Sequence, residues 1–295
     1  MDRLANSRHA AASPRGRMRL FEDGFLYTST GTDSKSARHS ASLLLALTDA
    51  DFEIDVGGQI QRARAVAVRP FAAKRLHACG VPFACIDAST EHPLYRAFAF
   101  LPDPGYKVLP AEAFEPAMPA LDAFRRGEMS SRSSRLLYRR IFELARGLLP
   151  PPPKLDPRVA RVIALLDADH TLGVAELANA VCVSRDRLSH LFTQEMGLPL
   201  RKYSQSLKIR AAARLLGSGL NFTQIAAAAG FTDSAHFSKI WSQAYGASPA
   251  FFYTSGAVSF YPPSAVRIEG SSAVSSRFRS RNAANSHDLI PTTKV

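Results

Sequence analysis

The sequence predicts a two-domain α+β chain. An N-terminal antiparallel β sandwich or barrel carrying two helices comes first, followed by an all-α region built on a double helix-turn-helix. Three observations lead there. Short apolar runs separated by turn residues crowd the stretch from Arg19 to Ser89. Four consecutive prolines, Pro150 to Pro153, interrupt the chain and read as a stiff spacer between folded parts. Beyond them a helical pattern is written twice at an offset of 48 to 49 residues. At 295 residues the chain has room for about two domains.

Composition narrows the class. With 46% hydrophobic and 21% charged residues, the chain is neither disordered throughout nor fibrous. No run approaches the roughly 18 apolar residues of a membrane helix. The first residues offer Arg, Ser and Ala but no apolar core of a secretory signal, so no export is expected. Three cysteines, Cys79, Cys85 and Cys182, are too few and too widely set for a disulfide scaffold or zinc site, and read as reduced cytoplasmic thiols.

The net charge of +12 favours polyanionic partners, and its distribution divides the chain. Residues 1–19 hold five arginines against Asp2 and read as a disordered basic arm. Residues 20–124 hold thirteen acidic and nine basic residues, so nothing in their charge suggests nucleic-acid binding. Residues 125–153 hold seven arginines against Glu128 and Glu143. The expected organisation is an arm over 1–19, a sensing and dimerisation domain over 20–149, and a linker over 150–154. A helical domain over 155–254 and a disordered Ser- and Arg-rich tail over 255–295 complete it.

Strands are expected at Phe25 to Tyr27, Leu43 to Leu47, Phe52 to Val56, Ala63 to Val68 and Phe83 to Ile86, with turns at Gly31-Thr32-Asp33, Thr48-Asp49, Gly57-Gly58 and Cys79-Gly80. Cys79 and Cys85 are expected in strands as small buried residues. Met118 to Arg126 and Ser133 to Leu148 read as helices. The second sets Leu137, Ile141, Leu144, Ala145 and Leu148 on one face and Arg135, Arg139, Arg140 and Arg146 on the other. Packing on its own sheet and service as a subunit interface both remain open for it. His39, His77 and His92 form no HxH or HxxxH pair, and no phosphate loop, nucleophile elbow or dinucleotide fingerprint occurs. No catalytic residue, metal site or cofactor is therefore expected.

In the C-terminal part, Pro157 opens a helix carrying Val159, Val162, Ile163, Leu165 and Leu166. A short helix over Val174 to Val181 stops at Cys182-Val183. Another restarts behind Ser184, a good N-cap, with Leu188, Leu191 and Phe192 buried. Such closely joined helices make a helix-turn-helix. Ala178, Cys182 and Val183 recur as Ala226, Gly230 and Phe231, while Leu188, Phe192 and Gly197 recur as Phe237, Trp241 and Gly246. Asp233 takes the place of Ser184. Between the copies, a helix over Leu200 to Leu216 would fix their separation at about one duplex turn, roughly 34 Å.

These residues carry a resemblance. Leu177-Ala178, Ser184, Leu188, Phe192 and Gly197, then Arg210, Ala213, Leu215 and Leu216, then Ile225-Ala226, Gly230-Phe231, Asp233, Phe237-Ser238-Lys239, Trp241, Gly246 and Ser248-Pro249 resemble the DNA-binding domain of AraC/XylS-type transcriptional regulators. That domain has seven helices. The strand-rich part loosely resembles the cupin-like sensing domain often found upstream in the family. Cys182 stands where the family often has Gly, Trp241 where it has Phe, and Tyr253 where it has Arg, which removes a phosphate contact.

The helical period leaves Arg185, Asp186, Ser189 and His190 free on the first recognition helix, and Ser234, Ala235, Ser238 and Lys239 on the second. The resemblance implies base contacts at Asp186, Ser189, His190, Ser234, Ala235, Ser238 and Lys239. Lys239 and His190 can donate to guanine, Asp186 can accept from cytosine N4, and Ala235 can touch a thymine methyl. Arg185, Arg187, Arg201, Lys202 and Thr232 are expected on phosphates.

The implied protein is a cytoplasmic transcription regulator, more usually an activator, and not an enzyme. Its expected partners are double-stranded DNA, RNA polymerase by family analogy, a second copy of itself and a small-molecule effector. No membrane is expected. A catalytic cupin-like barrel on a DNA-binding module, or a regulator without effector, are the alternatives. The sequence identifies no effector-binding residue.

Overall fold

The computed structural model describes residues 16–216, 218–245, 248–254 and 258–261. Among these residues ten strands build the first domain: β1 (Gly16–Leu20), β2 (Gly24–Ser29), β3 (Asp33–Ser36), β4 (Ala41–Ala46), β5 (Phe52–Val56), β6 (Gln59–Ala63), β7 (Ala65–Val68), β8 (Lys74–His77), β9 (Phe83–Ala88) and β10 (Tyr106–Val108). With β11 (Val258–Tyr261) they form a seven-stranded sheet in the order β10-β7-β4-β9-β2-β1-β11 and a four-stranded sheet in the order β3-β8-β5-β6. Every pairing is antiparallel except that of β1 with β11.

The strand period of two explains the layers. Alternate residues of the larger sheet, among them Phe25, Leu44, Val66, Phe83 and Cys85, join Phe52, Ile54, Val56 and Leu76 of the smaller sheet in one core. The intervening residues, Leu26, Leu43, Leu45, Ala84 and Ile86, face a second core under the helices. β4 and β9 are covered on both faces and buried at every position, so they read as apolar runs interrupted only by the buried Ser42 and Asp87. Helices α1 (Tyr95–Ala99), α2 (Met118–Arg126) and α3 (Ser131–Arg146) and a 3₁₀ helix at Ala111–Ala117 seal that second core. Ser130 caps α3, its hydroxyl accepting the Ser133 N–H at 3.1 Å.

Several expectations need correction. Residues 16–19 belong to β1, where Arg17 and Arg19 alternate with buried Met18 and Leu20, so the arm expected over 1–19 gives way at Gly16. The remainder of that arm lies outside the described residues. β11 falls inside the tail expected to be disordered and lies beside β1 from Gly16 opposite Val258. The rest of the tail is outside the described residues. The strand expected over Ala63 to Val68 is the end of β6 followed by β7, broken at Arg64. Cys79 lies beyond β8 and is exposed, whereas Cys85 is buried in β9 as expected.

Among the described residues the C-terminal domain has seven helices: α4 (Pro157–Ala168), α5 (Val174–Ala180), α6 (Arg185–Met196), α7 (Leu200–Leu215), α8 (Phe222–Ala228), α9 (Ser234–Tyr245) and α10 (Pro249–Thr254). One core gathers Val159, Val162, Leu177, Leu188, Phe192 and Tyr203 around the first helix-turn-helix. The second unit is built around Ile225, Phe231, Phe237 and Trp241, and its core is continuous with that of the two sheets.

The proline linker therefore joins parts that touch. Arg96 of α1 donates to the Glu195 carbonyl oxygen at 2.8 Å. Tyr95 is buried in the core of the first helix-turn-helix, and its hydroxyl donates to the His39 carbonyl oxygen at 3.2 Å. Ser206 of α7 bonds Thr90 and donates to the Glu91 carboxylate at 3.0 Å.

Candidate nucleic-acid interface

Two backbone bonds of the turn recur in both copies of the internal repeat. In the first unit Val183 N–H donates to the Ala178 carbonyl oxygen at 3.1 Å and Cys182 N–H to that of Asn179 at 3.1 Å. In the second unit Phe231 N–H donates to Ala226 at 2.9 Å and Gly230 N–H to Ala227 at 3.1 Å. Each bond recurs 48 residues later.

Caps recur as well. The Glu176 carboxylate accepts the Gly173 N–H at 2.8 Å, as the Gln224 side chain accepts the Asn221 N–H at 3.0 Å. Ser184 accepts the Arg187 N–H at 3.2 Å, and Asp233 accepts the His236 N–H at 2.6 Å. That bond is the largest influence holding the Asp233 carboxyl below its usual range. Both turns require the left-handed backbone: Gly230 has φ 81° and Cys182 has φ 55°. Cysteine in the glycine place therefore carries a cost of about 1 kcal/mol.

Packing of one face leaves the other free. Leu188 and Phe192 are fully buried in α6, as are Phe237 and Trp241 in α9. The larger Trp241 is accommodated among aromatic rings, with centroids 5.6 Å from Phe237 and 4.4 Å from Tyr245. Asp186, Ser189 and His190 are exposed on α6, and Ala235 and Lys239 on α9, while Ser234 and Ser238 are half-buried. The Ser189 hydroxyl donates to the Arg185 carbonyl oxygen at 2.9 Å. With its proton so engaged, Ser189 is disposed to accept from a base amino group.

The expected phosphate contacts divide. Arg185, Arg187, Arg201 and Thr232 are exposed. The Thr232 hydroxyl also bonds the Asp233 carboxylate and His236 Nδ1, both at 3.1 Å. Lys202 is half-buried, and its charge acts on His39 of the sheet domain, where burial first and Lys202 second push the imidazole down to about 4. Its surroundings thus include the sheet domain. Gly246 of the repeat and the Tyr253 side chain fall outside the described residues.

Two ties escaped sequence reasoning. Lys208 Nζ donates to the Gly230 carbonyl oxygen at 2.8 Å, pinning the second turn to the connecting helix. Arg210 reaches Asp167 at 3.4 Å, fastening the same helix to α4. Sequence shows only that α7 is basic, since each bond crosses at least twenty residues. Among the described residues no group of three or more His, Cys, Asp or Glu could hold a metal ion, and no helix is long and apolar enough to cross a membrane.

This geometry defines a double helix-turn-helix domain. A family profile described as a helix-turn-helix domain matches residues 177–254. The arabinose operon regulatory protein of Escherichia coli K12 is 32% identical over 121 residues, which are 40% of this chain and 40% of that protein. The transcriptional activator NphR of a Rhodococcus species is 36% identical over 98 residues, 32% of this chain and 28% of that protein. The matches thus span well under half the length of these relatives. ToxT of Vibrio cholerae O395, solved with (E)-4-(8-methylnaphthalen-1-yl)but-3-enoic acid, superposes with a TM-score of 0.50 at 10% identity, covering 81% of this chain and 98% of that one. It shares the two-domain fold. The C-terminal part of the chain is an AraC-type helix-turn-helix domain.

Proposed function

We propose that the chain is a sequence-specific DNA-binding transcription regulator, an activator, that reads two successive major-groove segments from one face of the duplex. The repeated turn carries this reading. Two units with the same backbone bonds and caps present α6 and α9 as exposed polar faces, and α7 holds them at a fixed separation. Asp186, Ser189, His190, Ser234, Ala235, Ser238 and Lys239 read bases, while Arg185, Arg187, Arg201, Lys202 and Thr232 position the domain on phosphates. The relatives are transcription regulators, which favours regulation over catalysis.

The sheet domain responds to a small-molecule effector. A cleft lined by His39, Ser40, Asp87 and Thr90 on one side and Ser206 and Arg210 on the other supports this reading. A ligand there touches both domains and biases their relative placement, which is the requirement for a shift in population. The protein works in the cytoplasm as a homodimer and recruits RNA polymerase. Footprinting on a regulated promoter tests the account. Two protected segments about ten base pairs apart on one face of the duplex support it, and a single protected segment contradicts it.

A further inference from the structure

The basic segment at 125–153 is not uniformly neutralised. Arg125 and Arg126 are held by Asp122 and Glu128. Arg135 reaches Glu22 at 3.8 Å, and Arg140 reaches Glu143 at 3.5 Å. Arg132, Arg139 and Arg146 form no ion pair with any described residue, although the fields of Arg139 and Arg146 are felt by Asp23 and His92. All three are exposed. They stand seven residues apart on α3, close to two helical turns, and so share one stripe about 21 Å long. The opposite face, with Leu137, Tyr138, Ile141 and Ala145, is sealed into the core.

Helix stability accounts for Arg146 alone, which lies in the last turn of α3 and suits the helix dipole. Arg132 lies in the first turn of α3, which holds no acidic residue, so its charge opposes the helix dipole. Nor does the face suit a protein interface, whose centre is apolar. Leu136, 59% exposed, is the one large apolar side chain of α3 that is exposed among the described residues. Isologous pairing of two such helices would set arginines against arginines.

We propose that Arg132, Arg139 and Arg146 seat on the phosphate backbone of duplex DNA flanking the segments taken by α6 and α9, which makes the sheet domain a second DNA contact. This rests on the DNA-binding reading above. A stripe of 21 Å runs alongside roughly six base pairs at 3.4 Å each. Guanidinium groups grip phosphates in bidentate fashion, and released counterions supply affinity without an apolar core.

The test measures binding of the full chain against salt, on a duplex trimmed to the selected motif and on one extended by ten base pairs at each side. With R132Q/R139Q/R146Q the log–log salt slope on the extended duplex should flatten by about 2.7. Affinity then falls roughly 40-fold less between 50 and 200 mM salt than for the wild type. The corresponding Arg→Lys triple variant should keep the slope, and the trimmed duplex should show no difference. Equal slopes on the extended duplex, while S189A/H190A/K239A abolishes motif preference, overturn the proposal and leave the DNA-binding reading standing. Equal slopes with a dimer that dissociates in sedimentation assign the stripe to subunit contact and also overturn it. Wild-type protein that binds no duplex at any salt overturns both readings.

Discussion

Arg96 and Glu195 join the two domains at one point. The Arg96 Nε–H donates to the Glu195 carbonyl oxygen at 2.8 Å, and a terminal nitrogen of Arg96 lies 3.5 Å from the Glu195 carboxylate. The same carboxylate accepts the Asp156 N–H at 3.1 Å. One side chain in the last turn of α6 thus gathers the sheet domain and the start of α4. Ala99 completes the contact by packing where a Cβ on Gly197 would meet it at 3.1 Å. These contacts fix the last turn of α6 against the sheet domain.

Removing Arg96 should therefore cost stability. Arg96→Ala is expected to lower the unfolding free energy by about 1.5–3 kcal/mol, as for a largely buried charge-assisted bond. Glu195→Ala in the same background should add far less than it does alone. Urea denaturation of the four proteins checks this, and additive losses would show that the two side chains act separately.

The two turns offer a matched pair of substitutions. Cys182→Gly should stabilise by about 1 kcal/mol, because glycine adopts φ 55° without the Cβ clash. Gly230→Ala should destabilise by a similar amount, about 1 kcal/mol. Its methyl would lie 3.7 Å from Lys208 Cε, an ordinary contact, so the backbone alone opposes it. Guanidinium unfolding of both variants reads the signs.

How far the sequence anticipated these features depended on where the information lies. β5 and α2 begin and end where expected, because their apolar period is complete within Phe52–Val56 and Met118–Arg126. β3 contains no apolar residue, and its antiparallel pairing with β8 places Asp33 opposite His77. Such a strand depends on its neighbour and leaves no local signature. β1 carries a period of two, but its Arg17 and Arg19 continue the basic run before it and mask that period. On α6 and α9, burial of Leu188, Phe192, Phe237 and Trp241 leaves Asp186, Ser189, His190, Ala235 and Lys239 exposed as the helical period predicts, whereas Ser234 and Ser238 are half-buried by their neighbours. The Arg96–Glu195 and Lys208–Gly230 bonds depend on tertiary placement and could not be seen.

A pH dependence follows from Asp87. Burial pushes its carboxyl up to about 7, against the opposing pull of Arg38, the Ser40 hydroxyl at 2.6 Å, and Lys74. A folded value above the usual 3.8 means that Asp87's contribution is full below that value and is lost as pH rises through about 7. Between pH 4 and 7 the stability of Asp87→Asn should accordingly rise more, or fall less, with pH than that of the wild type. Parallel stability curves would contradict the shifted value.

Base-reading and phosphate positions should separate in binding assays. Lys239→Ala is expected to relax preference at one base pair by about 1–3 kcal/mol. Arg187→Ala should weaken binding to every sequence alike and reduce the salt slope by about 1. Titration against a panel of singly altered duplexes distinguishes them, and uniform loss with Lys239→Ala would remove it from the base-reading set.

The central claim, that two recognition helices read DNA together, is tested most directly by selecting bound fragments from a random duplex library with the full chain, at about 150 mM salt. The S189A/H190A/K239A variant is run in parallel. The account predicts an enriched motif of two blocks about ten base pairs apart that disappears in the variant. Binding that is blind to sequence and vanishes with salt, or a motif unaffected by the three substitutions, would contradict it.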